Sequence, residues 1–98
     1  MAWFQHRRSD SPALDNLQAE ELLTRAQASR AQGDLVAARS LAREALDLGE
    51  RVHGERGLAL IPFLLVYAGV LNQCLGWAAG KPFYERAERL RGLATAFR

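Results

Sequence analysis

The stretch Gly33-Asp34-Leu35-Val36-Ala37-Ala38-Arg39-Ser40-Leu41-Ala42-Arg43-Glu44-Ala45-Leu46 decides how this chain folds. Its glycine can adopt a left-handed conformation that ends one helix, and the aspartate that follows can cap the free amides of the next. After this turn, small apolar residues recur at helical spacing, at Ala38, Ala42 and Ala45. The stretch therefore predicts the turn and the second helix of an antiparallel helix hairpin.

The composition of the 98-residue chain favours one small helical domain. Alanine and leucine dominate the apolar residues, whereas valine and isoleucine are few, which favours helices over sheets. The net charge of +2 is too small to indicate a nucleic-acid partner. The single cysteine, Cys74, excludes an intrachain disulfide. The first residues lack an apolar run of signal-peptide length, so we predict a cytoplasmic protein.

Helix start and stop signals predict a flexible tail of residues 1–11 and a single helical domain of residues 12–98. Serine followed by proline, at positions 11 and 12, is a typical helix start. Histidine followed by glycine, at positions 53 and 54, is a typical helix end. The predicted helices run from Pro12 to Gln32, from Leu35 to about Val52, from Leu58 to Leu75, and from about Pro82 to Phe97.

Shifting the chain by 42 residues superimposes its two halves. Ala26 then falls on Ala68 and Ala45 falls on Ala87, so that small residues meet small residues. A fixed period of this size is typical of stacked helical repeats. We therefore predict one hairpin used twice, at about residues 19–57 and about residues 58–98.

The run from Ala31 to Leu46 resembles the second half of a tetratricopeptide repeat. Gly33 matches the turn glycine of that family, and Ala38 and Ala45 match its two alanines. The spacing is similar to the 42-residue variety of kinesin light chains, although Leu75-Gly76-Trp77 replaces the turn in the second copy. The resemblance implies an all-α fold of about four helices, with antiparallel hairpins stacked as a short right-handed α-α superhelix. It also implies a concave face, lined by the first helices, that binds peptides or partner proteins.

Six residues are candidates for binding such a partner. The two arginines lie along the open side of the first helix, where they could contact an acidic protein. The two aromatic residues of the tail could anchor in a groove of this chain or of a partner. The asparagine is either an exposed edge of the third helix or a side chain that holds a partner's backbone. The candidates are Arg25, Arg30, Trp3, Phe4, Tyr67 and Asn72.

Two hairpins leave apolar surface uncovered, because such stacks usually need three or more repeats and a polar capping helix. A second copy of the chain or a partner chain would cover that surface. We therefore expect a homodimer in addition to a protein or peptide partner.

Two other classes of protein stay open. A small membrane protein would use residues 58–75 as its span, which reaches the lower limit of length, although Asn72 and Gln73 interrupt it. A helical enzyme or ligand-binding domain would need a cluster of polar residues that the sequence does not show. His53 beside Glu50 and Glu55 is better explained as a histidine at a helix end than as a metal ligand. We therefore predict no catalytic residues, no cofactor and no metal.

Overall fold

Four α-helices and one short 3₁₀ turn form the part of the chain that a computed structural model describes, residues 12–96. Side chains are described for residues 13–93. The predicted all-α class is confirmed, whereas Trp3, Phe4 and the rest of the predicted tail lie outside the described residues. The elements are α1 (Pro12–Ala31), α2 (Leu35–His53), the 3₁₀ turn (Leu58–Leu60), α3 (Ile61–Leu75) and α4 (Trp77–Ala96).

The turn between α1 and α2 has the geometry that its sequence predicts. Gly33 adopts φ +82°, and the amide of Asp34 donates to the carbonyl of Ser29 at 2.9 Å. These features form a Schellman motif, which satisfies the last carbonyls of α1. The Asp34 carboxylate then accepts from the amide of Ala37 at 3.1 Å, so it caps the first turn of α2.

The helices pack in chain order, with α1 on α2, α2 on α3 and α3 on α4. Small buried residues line the packed faces of α1, α2 and α4, whereas α3 supplies most of the large core side chains. This role explains why the sequence of α3 is apolar on nearly every side. The fully buried small residues are Ala19, Ala26, Ala38, Ala42, Ala45, Ala68 and Ala87, and the largest fully buried side chains are Leu46, Leu60, Leu64 and Val70.

The offset of 42 residues also relates positions in the folded chain. Leu35 begins α2 and Trp77 begins α4, so the second helices of the two hairpins start one offset apart. Ala26 and Ala68 are both fully buried, as are Ala45 and Ala87. The same register of small residues therefore packs both hairpins.

Helix α4 begins at Trp77, not at about Pro82, so the predicted start of the fourth helix is wrong. Gly76 alone separates α3 from α4, with φ +99°. The side-chain oxygen of Asn72 accepts from the amide of Gly80 at 3.1 Å, which stabilises the first turn of α4 before the proline is reached. Proline inside a helix removes one amide donor, and here the helix continues past it.

Candidate interaction surface

Seven large apolar side chains of the described residues are exposed although the core is well formed. Scattered exposed leucines are ordinary, but exposed apolar residues that meet in one groove mark a contact surface. Val36, which is 83% exposed, and Leu75, which is 59% exposed, line the same groove. The exposed set is Leu14, Leu17, Val36, Leu58, Leu75, Trp77 and Leu93.

The groove that contains Val36 and Leu75 lies between the N-terminal half of α2 and α3, and we call it the α2–α3 groove. Its volume is about 740 Å³. Its lining combines apolar side chains from both helices with charged side chains of α2. Its lining residues are Leu35, Val36, Arg39, Ser40, Arg43, Glu44, Tyr67, Gln73, Cys74 and Leu75.

The inner wall of the α2–α3 groove is fixed by contacts of Tyr67, which is itself buried. The ring of Tyr67 meets the ring of Phe83 edge to face, with centroids 4.9 Å apart. The guanidinium of Arg43 lies 5.7 Å from the centroid of the same tyrosine ring, within the range of a cation–π interaction. Aromatic packing from α4 and a cation from α2 therefore hold this wall in place.

The charge of the α2–α3 groove is net positive, because Arg39 and Arg43 outweigh Glu44. Interaction with the Tyr67 hydroxyl, and then with the Asp47 carboxylate, raises the pKa of the Arg43 guanidinium above its ordinary value. Arg39 is exposed and makes no ion pair or hydrogen bond with any residue of the described chain. The groove therefore offers a free guanidinium beside an apolar surface.

The two candidate arginines of α1 lie apart in the structure. Arg25 lines a second groove, of about 510 Å³, between α1 and α2. Arg30 instead lies against α3, where its Nη atoms are 2.9 Å from the position that a Cβ on Gly69 would occupy. Its Nε donates to the side-chain oxygen of Gln73. The space between α1 and α3, where a concave groove was expected, therefore holds the side chain of Arg30.

The remaining described candidates have different surroundings. Tyr67 lines the α2–α3 groove, whereas the side-chain oxygen of Asn72 is bound to the amide of Gly80 within the chain. The structure therefore does not bring the described candidates into one surface. Val36, Leu75 and Arg39 are the groove residues that sequence reasoning missed. Val36 could have been found as a large apolar residue that lies off the stripe of small residues along α2.

A third groove, of about 800 Å³, lies between the end of α2 and the C-terminal half of α4. Arg86 crosses it, pairs with the Glu50 carboxylate at 2.6 Å and donates to the carbonyl oxygen of Glu55 at 3.2 Å. The floor carries Leu90 and Leu93. Because its central arginine is already bound within the chain, this groove is a weaker candidate for a partner.

Within residues 13–93, the structure shows no buried polar or charged residue apart from the hydroxyl of the buried Tyr67, and no group of three metal-ligating side chains. His53 lies within hydrogen-bond distance of Asn16, with its Nε2 3.0 Å from the side-chain oxygen. That contact ties the end of α2 to the beginning of α1.

One segment of the described residues, Leu58–Leu75, is long and apolar enough to cross a membrane by composition. Half of it is buried within the fold. Its α-helical part, α3, has 15 residues and is about 22 Å long at 1.5 Å per residue. A typical hydrocarbon core is about 30 Å thick, and the 3₁₀ turn Leu58–Leu60 lengthens the apolar segment beyond α3.

No family model, curated protein or solved structure matches the chain.

Proposed function

We propose that the chain is a protein–protein interaction module, or adaptor, which binds a partner protein or peptide in the α2–α3 groove. The observation that carries this proposal is the meeting of exposed Val36 and Leu75 in a groove beside the free guanidinium of Arg39. An exposed apolar surface next to a charge without a partner is typical of a binding site and costly to maintain otherwise.

The size of the apolar surface is sufficient for a specific contact. Complete burial of a valine or leucine side chain contributes about 1.5–3 kcal/mol. Scaled by the exposed fractions of Val36 and Leu75, the two side chains would together contribute about 2–4 kcal/mol. Each side chain alone would contribute about 1–2.5 kcal/mol, so the pair would act together with further contacts in a larger interface. A carboxylate on the partner could bind Arg39 with two hydrogen bonds, which would add orientation.

We further propose that the two hairpins are tetratricopeptide-like repeats in a right-handed stack. The shared offset of the helix starts and the buried pairs Ala26 with Ala68 and Ala45 with Ala87 support this assignment. The surface that we assign to the partner lies between α2 and α3 and so differs from the concave face of that family, where the side chain of Arg30 lies against Gly69 and Gln73.

The test is affinity capture from the native source with three forms of the protein: the wild type, Val36→Glu and Leu58→Glu. Val36 is exposed, so the charge should abolish partner binding without unfolding the domain. Leu58 is also exposed but lines none of the three grooves, which makes it the matched control. A specific partner should be retained by the wild type and by Leu58→Glu and lost by Val36→Glu. Equal retention by all three would refute the assignment of the groove.

The competing hypothesis is a small membrane protein, favoured by the apolar segment Leu58–Leu75. We propose a cytoplasmic protein instead, and the core side chains that this segment supplies to the helical domain support that proposal. Fractionation of expressing cells distinguishes the two. Recovery in the soluble fraction without detergent agrees with our proposal, and recovery only after detergent extraction contradicts it.

A further inference from the structure

Helix α1 carries a second, outward-facing apolar surface that the hairpin does not use. Leu14 is 52% exposed and Leu17, one turn later, is 64% exposed. Ala19 and Ala26 lie on the opposite side of α1 and are fully buried. Leu14 and Leu17 have the i, i+3 spacing that places side chains on one helix face, and Glu20 and Glu21 follow one turn later.

We propose that a second copy of this chain occupies the α2–α3 groove, with the outward face of α1 from one copy lying in the groove of the next. This inference rests on the function proposed above and names a partner for the same site. It assigns two defined surfaces to the homodimer contact that the two-hairpin sequence predicts.

The charges of the two surfaces are complementary. From Leu14 to Thr24, α1 carries three carboxylates, Asp15, Glu20 and Glu21, and no basic residue. The α2–α3 groove has a net positive charge, and Arg39 has no partner within the described chain. Opposite charges at the edge of an interface set the orientation of binding and speed association.

The apolar side chains of the two surfaces are also of the same type. The groove presents aliphatic side chains at Val36 and Leu75, and α1 presents aliphatic side chains at Leu14 and Leu17. Packing the two pairs together would remove four of the exposed large apolar residues from water. The contact would therefore cover apolar surface that a stack of only two hairpins is expected to leave exposed.

The proposed contact is head-to-tail, because the α1 face and the α2–α3 groove are different surfaces. Head-to-tail contacts generate open filaments or closed rings, whereas a two-fold dimer uses one surface twice. Each copy in an open assembly keeps one free groove and one free α1 face. Blocking either surface should therefore stop growth at that end.

Sedimentation velocity of the purified full chain tests this arrangement through complementation. Val36→Glu blocks the groove and Leu17→Glu blocks the α1 face, and both changes fall on exposed positions. We expect the average mass of the wild type to rise with concentration, and each variant alone to remain monomeric. An equimolar mixture should form a heterodimer and grow no further, because each variant supplies the surface that the other lacks.

A charge-reversal pair provides a second test that depends on no apolar substitution. Glu20 is exposed one turn after Leu17 and is the carboxylate that we assign to Arg39. Glu20→Arg should therefore weaken self-association of the wild type about threefold, and adding Arg39→Glu to the same chain should restore it. Failure of the double variant to restore association would contradict the contact between these two charges.

Three results would overturn the head-to-tail contact, and they separate it from the function proposed for the groove. Association of Leu17→Glu alone as strong as that of the wild type would show that the α1 face does not occupy the groove. A monomeric wild type whose captured partner is lost in Val36→Glu would refute self-association and leave the proposed function standing. A monomeric wild type whose partner survives Val36→Glu would refute both.

Discussion

Replacing Gly80 by alanine tests how closely α4 approaches α3. Gly80 is buried, and a Cβ at this position would collide with the carbonyl oxygen of Ala68 and with the side chain of Asn72, whose Cγ would be 3.0 Å away. The backbone oxygen belongs to α3 and cannot rotate aside. The helices must therefore separate, and the hydrogen bond from the Gly80 amide to Asn72 must lengthen or break.

The expected change in the free energy of unfolding combines two destabilising contributions and one stabilising contribution at Gly80. Overpacking of a well-packed core costs about 1–3 kcal/mol, and loss of one hydrogen bond costs about 0.5–1.5 kcal/mol. Alanine is favoured over glycine within a helix by about 1 kcal/mol. We therefore expect Gly80→Ala to lower the free energy of unfolding by about 1–3 kcal/mol. For a domain of this size, each kcal/mol corresponds to about 4–8 °C in Tm.

Gly92→Ala is the matched control, because it makes the same change in the same helix. Gly92 is exposed, and a Cβ there would meet no atom within 4 Å. Only the gain in helix propensity remains, so we expect stabilisation by about 0.5–1 kcal/mol. Urea denaturation followed by far-ultraviolet circular dichroism measures both variants. Stabilisation by Gly80→Ala would refute the close approach of α4 to α3.

Substitutions at three further positions test single contacts by the same denaturation assay. Asp34→Ala removes the cap of α2 and should cost about 1 kcal/mol, whereas Asp34→Asn, which keeps an acceptor, should cost much less; equal losses would contradict capping. Arg86→Ala removes a half-buried ion pair with Glu50 and a bond to a backbone carbonyl, and we expect a loss of about 1–2 kcal/mol. Asp47→Asn breaks only an exposed pair and should change stability by less than about 0.5 kcal/mol; a larger loss than that of Arg86→Ala would refute this ranking.

The helices that were predicted well are those whose ends are marked locally. Gly33 and Asp34 act within a few residues of themselves, and so the end of α1 and the start of α2 could be read from the sequence. The start of α4 could not. The start of α4 depends on Asn72, which lies eight residues before the amide that it binds. Pro82 is a local signal for a helix start, but in the folded chain it lies inside α4.

The candidate site was harder to predict, because it depends on how helices pair. Arg30 looks accessible along α1, but the absence of a side chain at Gly69 lets it lie against α3. Val36 and Leu75 are 39 positions apart in sequence and line one groove only because α2 and α3 pack against each other. Tyr67 is the candidate that the packing does place in that groove.

The single residue between α3 and α4 has a consequence for the topology of the whole chain. Gly76 holds a positive φ that other residues resist, and together with the hydrogen bond from the Gly80 amide to Asn72 it interrupts residues 61–96 as one helix. A continuous helix would carry α4 away from its own α3, and its apolar face could then be buried only against the α3 of a second molecule. Such an exchange is a domain swap. The hydrogen atom in place of a side chain at Gly76 thus keeps each chain folded on itself.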